Sequence, residues 1–185
     1  NNSEENITNI IDRVLMSKLD IKIKANIISK LEDPFIDNSD KNKFYSWVGQ
    51  VLKLPIGINK SIIDYTSNFD INKFLLTARN KLDNIVYGME NTKEEIIDFL
   101  VKYLSNSHNS GTVLGLRGPR GVGKTRLCRA LSDILNLPLF QISMGGLTDA
   151  AVLLGHDSTY IGAKCGKIAS ITQQAKCMNY ILYID

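Results

Sequence analysis

In the stretch GPRGVGKT, residues 118–125, Gly118, Gly123, Lys124 and Thr125 fill the spacing G-x-x-x-x-G-K-[ST]. Each residue type has a physical task there. Glycines let the backbone turn several amides toward the oxygens of one anion, and the start of a helix adds the positive end of its dipole. A lysine at that helix start supplies a point charge, and the next hydroxyl is an oxygen donor for magnesium. The chemistry implied is the holding of nucleotide phosphates, with Gly118, Pro119, Gly121, Val122, Gly123, Lys124, Thr125 and Arg126 as the contact stretch. Downstream, YILYID closes on Asp185, an aspartate behind an apolar strand, which suits a magnesium ligand acting through water, the role of a Walker B aspartate. Turnover also needs a polarising carboxylate, often the residue straight after that aspartate. The residues up to Asp185 therefore support nucleotide binding and not, alone, hydrolysis.

The elements that must position these residues show in the apolar pattern. From Gly111 onward, TVLGL (112–116), PLFQIS (138–143) and YILYID (180–185) are strand candidates, with helical patterns over 124–136 and about 166–178 between them. That alternation predicts a parallel α/β sheet, the three-layer αβα arrangement of a P-loop NTPase. The first part of the chain is helical instead. Ile7, Ile10, Ile11, Val14 and Leu15 share one helical face, and Ile27, Ile28 and Leu31 share another that ends before Pro34. DPFIDNSDKN (33–42) follows as a polar connection, and Phe44, Trp47, Val48, Val51 and Leu52 form a third face closed by Leu54 and Pro55. Residues 56–70 have little period and predict a linker. Asp70 is placed to cap a helix through Phe74, Leu75, Ala78 and Leu82, and Thr92 with Glu95 forms a capping box ahead of Ile96, Ile97, Leu100 and Leu104. The expected division is a helical region over 1–70 and the sheet-containing region over 71–185.

Composition bounds the function classes. With 44% hydrophobic and 22% charged residues among 185, the chain is of the globular type. A net charge of +3 with both signs interspersed gives no case for wrapping nucleic acid or lying on a membrane surface. No apolar run reaches the roughly 18–20 residues of a membrane-spanning helix. Cys128, Cys165 and Cys177 are odd in number and outside any CxxC spacing, which fits a reducing compartment. Arg117, Arg120, Arg126 and Arg129 cluster around the phosphate loop; a solvated helix face is the plainer account, service to a neighbouring subunit's nucleotide the sharper one. His156, with no Cys, Asp or Glu at metal spacing, is expected to be structural, and Cys165 incidental despite Lys164 and Lys167 beside it.

The segment SMGGLTDAAVLLGHDSTYIGAKCGKI (143–168) together with the phosphate loop resembles the ATPase module of Lon-type ATP-dependent proteases, an AAA+ family. Ser143, Gly145, Gly146, Gly155, His156, Thr159, Tyr160, Ile161, Gly162 and Gly166 stand at that family's positions. LDNIVYGMENTKEEI (82–96) is similar to the family's segment before the first strand, which implies that Tyr87 and Gly88 line the adenine pocket. FYSWVGQVLKLPIG (44–57) resembles its Trp-containing helix and Leu-Pro turn, so the likeness runs from about Phe44 to Asp185. The sequence departs at Arg120, Val86, Asp157 with Ser158, and Lys164 with Cys165, which marks a divergent branch with the phosphate-binding residues intact.

The resemblance implies ATP and Mg2+ as cofactors, with Thr125 and Asp185 toward the metal. It also implies a pore loop of Tyr160, Ile161 and Gly162 that grips polypeptide, a homohexameric ring, and unfolded or damaged proteins as substrates. A cytoplasmic protein is expected, or one of the mitochondrial matrix or peroxisome in a eukaryote. The family's strand order, 5-1-4-3-2, keeps the Asp185 strand away from the phosphate-loop strand, so the chain is expected to be a fragment of a longer protein. The family's serine and lysine peptidase dyad has no counterpart here. Two other readings stay open from the residues: an AAA+ nucleic-acid motor or clamp-loader-type switch, and a nucleotide-binding scaffold without protease activity.

Overall fold

A computed structural model describes residues 2–61, 70–105, 111–146, 149–155 and 165–185. The chain divides into two compact units, one of Asn1–Lys60, Phe140–Tyr180 and Ile184–Asp185, the other of Ser61–Leu139 and Ile181–Tyr183. The expected pore loop, Tyr160, Ile161 and Gly162, lies outside the described residues, as do His156, Asp157, Ser158 and Lys164.

The first unit opens with three helices, α1 (Asn2–Met16), α2 (Ile21–Glu32) and α3 (Asn38–Val51). Their apolar faces meet in a core of Val14, Leu19, Ile27, Leu31 and Val48, flanked by Ile10, Ile11, Ile28, Phe44, Val51 and Leu52. Asp20 starts α2 by accepting the Lys22 amide at 2.8 Å. Half of the stretch expected as a polar connection is helical. The Asp37 carbonyl accepts the Lys41 amide at 2.9 Å, and Asp40 lies in the first turn, where a carboxylate complements the helix dipole. Tyr45 on α3 packs its ring on this core, but its hydroxyl is buried with no hydrogen-bond partner among the described residues, and burial raises its pKa. Tyr45→Phe keeps the ring and removes the orphaned hydroxyl, so it should stabilise the full-length protein by about 1 kcal/mol in a thermal melt. A loss of stability would mean that the hydroxyl has a partner.

The same unit holds α7 (Ala151–Leu154) and α8 (Lys167–Ala175). The side-chain Nε2 of Gln173 on α8 donates to the Gln50 backbone carbonyl at 2.8 Å. Beyond α8, Asn179 accepts the Lys60 amide at 2.7 Å and donates to the Lys60 carbonyl at 2.7 Å, while the Met178 amide reaches the Ile58 carbonyl at 2.7 Å. The start of the stretch expected to be a plain linker is thus paired backbone.

The second unit is built on α4 (Ile71–Ile85), α5 (Glu90–Ser105) and α6 (Lys124–Leu135) around Ala78, Leu82, Val86, Ile96, Leu100, Leu127, Ala130, Leu131, Ile134 and Leu135. Asp70 caps α4 as its position predicts, accepting the Asn72 and Lys73 amides at 2.9 and 3.3 Å. The expected capping box does not form. Helix α5 starts at Glu90, two residues before Thr92, because the Met89 carbonyl already accepts the Lys93 amide at 3.0 Å. Asn136 ends α6 in the left-handed conformation (φ +52°), which asparagine tolerates.

Strands β1 (Leu139–Ile142) and β2 (Ile181–Ile184) pair in one sheet. The Ile181 amide bonds the Pro138 carbonyl at 2.9 Å, the Asp185 amide the Ile142 carbonyl at 3.0 Å, and the Met144 amide the Asp185 carbonyl. Both strands advance together along this ladder, which makes them parallel, as expected. The third expected strand, 112–116, is not one. Strand structure is defined by a ladder partner, and no described residue pairs with this segment; Leu116 packs on the second unit's core while Val113 is exposed.

Candidate functional site

The phosphate loop leads directly into α6. Gly121 (φ +82°) and Gly123 (φ +98°) are both left-handed, a conformation that glycine adopts without strain. Gly123 is the N-cap of α6 and has no side chain to occupy the helix's first free amides, which leaves them for an anion. At Gly118 an added Cβ would lie 3.3 Å from Val122 Cγ2, so the loop is already tight against itself. Lys124 Nζ donates to the carbonyls of Gly118 and Pro119, both at 2.8 Å. The ammonium has three donors, so bracing the loop leaves one for a phosphate oxygen. Thr125 follows, half-buried, with Arg126 exposed. Helix α6 is held from behind by Leu127, Cys128, Ala130 and Leu131, all buried, and burial raises the Cys128 thiol pKa. Arg117, Arg120, Arg126 and Arg129 are all exposed.

Of the other expected site residues, Tyr87 and Gly88 belong to the same unit as the loop, on the turn between α4 and α5. Val86 before them is buried, Tyr87 is fully exposed, and Gly88 (φ +67°) and Met89 (φ +59°) are both left-handed. Asp185 is exposed and belongs to the other unit, its backbone fixed by Ile142 and Met144. A glycine and a cysteine flank 156–164: Gly155 and Cys165 form an antiparallel bridge, and Gly166 beside them is buried. No group of His, Cys, Asp or Glu among the described residues is arranged to hold a metal. Three cysteines are free, Cys165 among them exposed.

One constellation escaped the sequence reading. Lys93, 3% exposed, bonds Asp83 at 2.7 Å and Glu90 at 3.1 Å; Arg79 bonds Glu90 at 2.7 Å and lies 3.7 Å from Asp83. The four charges close into a ring of alternating sign between α4 and α5. Opposite charges at i,i+4 (Arg79, Asp83) and i,i+3 (Glu90, Lys93) were the available signal. The hydrogen bond from Lys93 is the main cause that lowers the Asp83 pKa, and the same bond chiefly raises that of Lys93. A lowered carboxylate contributes stability above its ordinary pKa, about 3.9, and loses it as pH falls through the lowered value. A raised ammonium contributes below its ordinary pKa, about 10.4, and loses it as pH rises through the raised value. The ring's contribution to urea midpoints should therefore be constant between these limits and fall beyond both, and Lys93→Met should abolish its share of the alkaline fall, to which the buried Cys128 thiol and Tyr45 hydroxyl add their own. An alkaline limb unchanged in the variant would refute this.

Residues 114–185 match the ATPase family associated with various cellular activities (AAA). The Lon protease of Malacoplasma penetrans is 31% identical over an alignment of 186 residues that covers 98% of this chain and 22% of that protein. Lon protease 2 of Borreliella burgdorferi is 32% identical over 178 residues, covering 95% and 21%. The chain belongs to the AAA+ module of the Lon family. A mitochondrial Lon protease homolog of Homo sapiens is 33% identical over 134 residues, 69% of this chain and 14% of that protein. The chain thus spans about a fifth or less of the length of these relatives. As an AAA segment it is a nucleotide-binding one, and the loop around Lys124 fits that ligand: left-handed glycines, open helix-start amides and a lysine poised on the loop itself. Among the described residues no helix of this Lon-type module is long and apolar enough to cross a membrane.

Proposed function

We propose that the chain is the ATP-driven unfolding and translocating segment of a Lon-like ATP-dependent serine protease, with a helical region over 1–70 leading into the ATPase segment over 71–185. One observation carries this reading: a formed phosphate loop, with Lys124 seated on it at the head of α6, occurs in a chain that aligns with a Lon protease along 98% of its length. ATP phosphates would be held by Gly118, Pro119, Gly121, Val122, Gly123, Lys124, Thr125 and Arg126. Thr125 and Asp185 are hard oxygen donors of the type that Mg2+ prefers, and the ion, when bound, would offset phosphate charge. The exposed ring of Tyr87, with Gly88 beside it, would receive adenine by stacking, an interaction worth about 1–3 kcal/mol per base. Tyr160, Ile161 and Gly162 would grip unfolded or damaged protein in a homohexameric ring, the aromatic giving broad, sequence-tolerant contact. The compartment proposed is the cytoplasm, or the mitochondrial matrix or peroxisome of a eukaryote. The relatives' names favour this over a nucleic-acid motor or clamp-loader-type switch.

The test is casein degradation by the full-length protein with and without ATP, beside Tyr160→Ala. Wild type should cleave only with ATP, and Tyr160→Ala should fall to about a tenth of that rate or less while retaining basal ATPase, since it removes a step after nucleotide binding. Wild type that binds ATP and never degrades casein would leave the scaffold reading in its place.

A further inference from the structure

The turn that carries Tyr87 is an unusual piece of backbone. Gly88 and Met89 are consecutive left-handed residues, and Met89 is not a glycine. A bulky residue in that region carries strain, and it persists only where the surrounding structure over-determines it. The Tyr87 ring cannot supply the constraint, because it is fully exposed. Its position is therefore set by the backbone on either side. On the α4 side, Val86 is buried in the core and its amide bonds the Leu82 carbonyl at 2.9 Å. On the α5 side, the Met89 carbonyl accepts the Lys93 amide at 3.0 Å.

The ring of charges ties these two sides together. Asp83 lies one turn of helix before the turn and Glu90 immediately after it; Lys93 Nζ bonds both carboxylates, and the more exposed Arg79 pairs with both as well. Lys93 is 3% exposed, so its ammonium is desolvated and its positions are dictated by those two acceptors. A ring with both oxygens of each carboxylate engaged fixes the span from Asp83 to Glu90, and so restrains the backbone from Val86 to Met89 that bridges it.

We propose that Lys93, acting through Asp83 and Glu90, is a positioning residue for nucleotide base recognition: it holds the α4–α5 turn so that Tyr87 is displayed ready-made to the adenine. This rests on the reading that Tyr87 and Gly88 meet adenine. It assigns no contact between Lys93 and nucleotide; the gain is preorganisation, an ordering cost met in the fold and not at binding.

The test compares calorimetric Kd values of the full-length protein for ATP and for inorganic tripolyphosphate, which lacks the base. Lys93→Met should weaken ATP about tenfold and tripolyphosphate by less than about twofold, the ratio expected when only base placement loosens. Lys93→Arg, which keeps the charge, should restore most of the ATP affinity. Asp83→Asn, at a half-exposed carboxylate, should reproduce the loss and serves if Lys93→Met does not fold. Equal weakening of both ligands would indicate a merely structural lysine and overturn the inference. Tyr87→Ala separates the two layers of the reading. If Tyr87→Ala loses the ATP preference and Lys93→Met and Asp83→Asn keep it, the positioning role alone fails. If Tyr87→Ala keeps it too, the adenine reading fails and the inference falls with it.

Discussion

Lys124→Ala should weaken ATP binding by the full-length protein by about 1.5–3 kcal/mol, roughly 10- to 150-fold in Kd, the range for a lost hydrogen bond to a charged group. Two effects add. The variant loses the cation at the head of α6, and it also loses the brace that Lys124 Nζ makes to the Gly118 and Pro119 carbonyls at 2.8 Å each. Without that brace, a loop containing two left-handed glycines must be ordered by the ligand itself. Lys124→Arg separates the terms, because it restores charge but presents a larger planar group to carbonyls matched to an ammonium. Recovery of less than half of the lost binding energy in Lys124→Arg would show that bracing matters as much as charge. ATP affinity unchanged in Lys124→Ala, measured by calorimetry, would remove the phosphate loop from the nucleotide site. The melting temperature should hardly move, since the core behind α6 does not involve Lys124.

The legibility of this chain in its sequence divides by the range of the interaction. The phosphate loop was readable because its requirements are local: glycines where φ is positive, a lysine at a helix start, all within eight positions. The same holds for the Asp70 cap, which needs only the amides two and three residues on. The capping box at Thr92 was equally local as a pattern but lost to its context: Met89 closes the first helical turn earlier, which a motif of Thr92 and Glu95 does not encode. The expected strand at 112–116 failed for a different reason. Its apolar character is real, and Leu116 does pack on the core, but a strand exists only with a neighbour, and β1 and β2 have each other. The buried Lys93 was the largest omission. Single lysines are read as solvated, and only the coincidence of α4 and α5 in space makes this one the centre of a charge ring. The lacing of Gln50 to Gln173 and of Lys60 to Asn179, across more than a hundred residues, has no local signature at all.

Gly166→Ala should be the most damaging small substitution in the first unit, costing about 3 kcal/mol or more. The backbone at Gly166 is φ −63°, ψ 160°, which any residue adopts, so the penalty is one of space alone. A Cβ there would collide with the carbonyl oxygen of Leu153, the carbonyl carbon of Leu154 and the amide nitrogen of Gly155. All three are backbone atoms, so no rotamer change makes room. Relief requires α7 to separate from the start of α8, and with it the Gly155–Cys165 bridge, whose Gly155 sits at φ +91°. The first bond of α8, from the Ser170 amide to the Gly166 carbonyl at 3.0 Å, is strained in the same movement. Gly145→Ala is the matched control: the nearest atom to its added Cβ is a side-chain oxygen, Ser143 Oγ, at 3.7 Å, ordinary contact. Urea unfolding of the two full-length variants should place Gly145→Ala within about 0.5 kcal/mol of wild type and Gly166→Ala far below it. Two equal midpoints would show that α7 and α8 can part freely. ATP affinity should survive in Gly166→Ala within about twofold, because the phosphate loop is held by the core of the other unit. The casein degradation proposed for the full-length protein should not survive. Gly155 and Cys165 flank 156–164, the segment proposed to carry Tyr160, so a variant that binds ATP normally yet no longer degrades protein would tie the proposed substrate grip to the Gly155–Cys165 bridge.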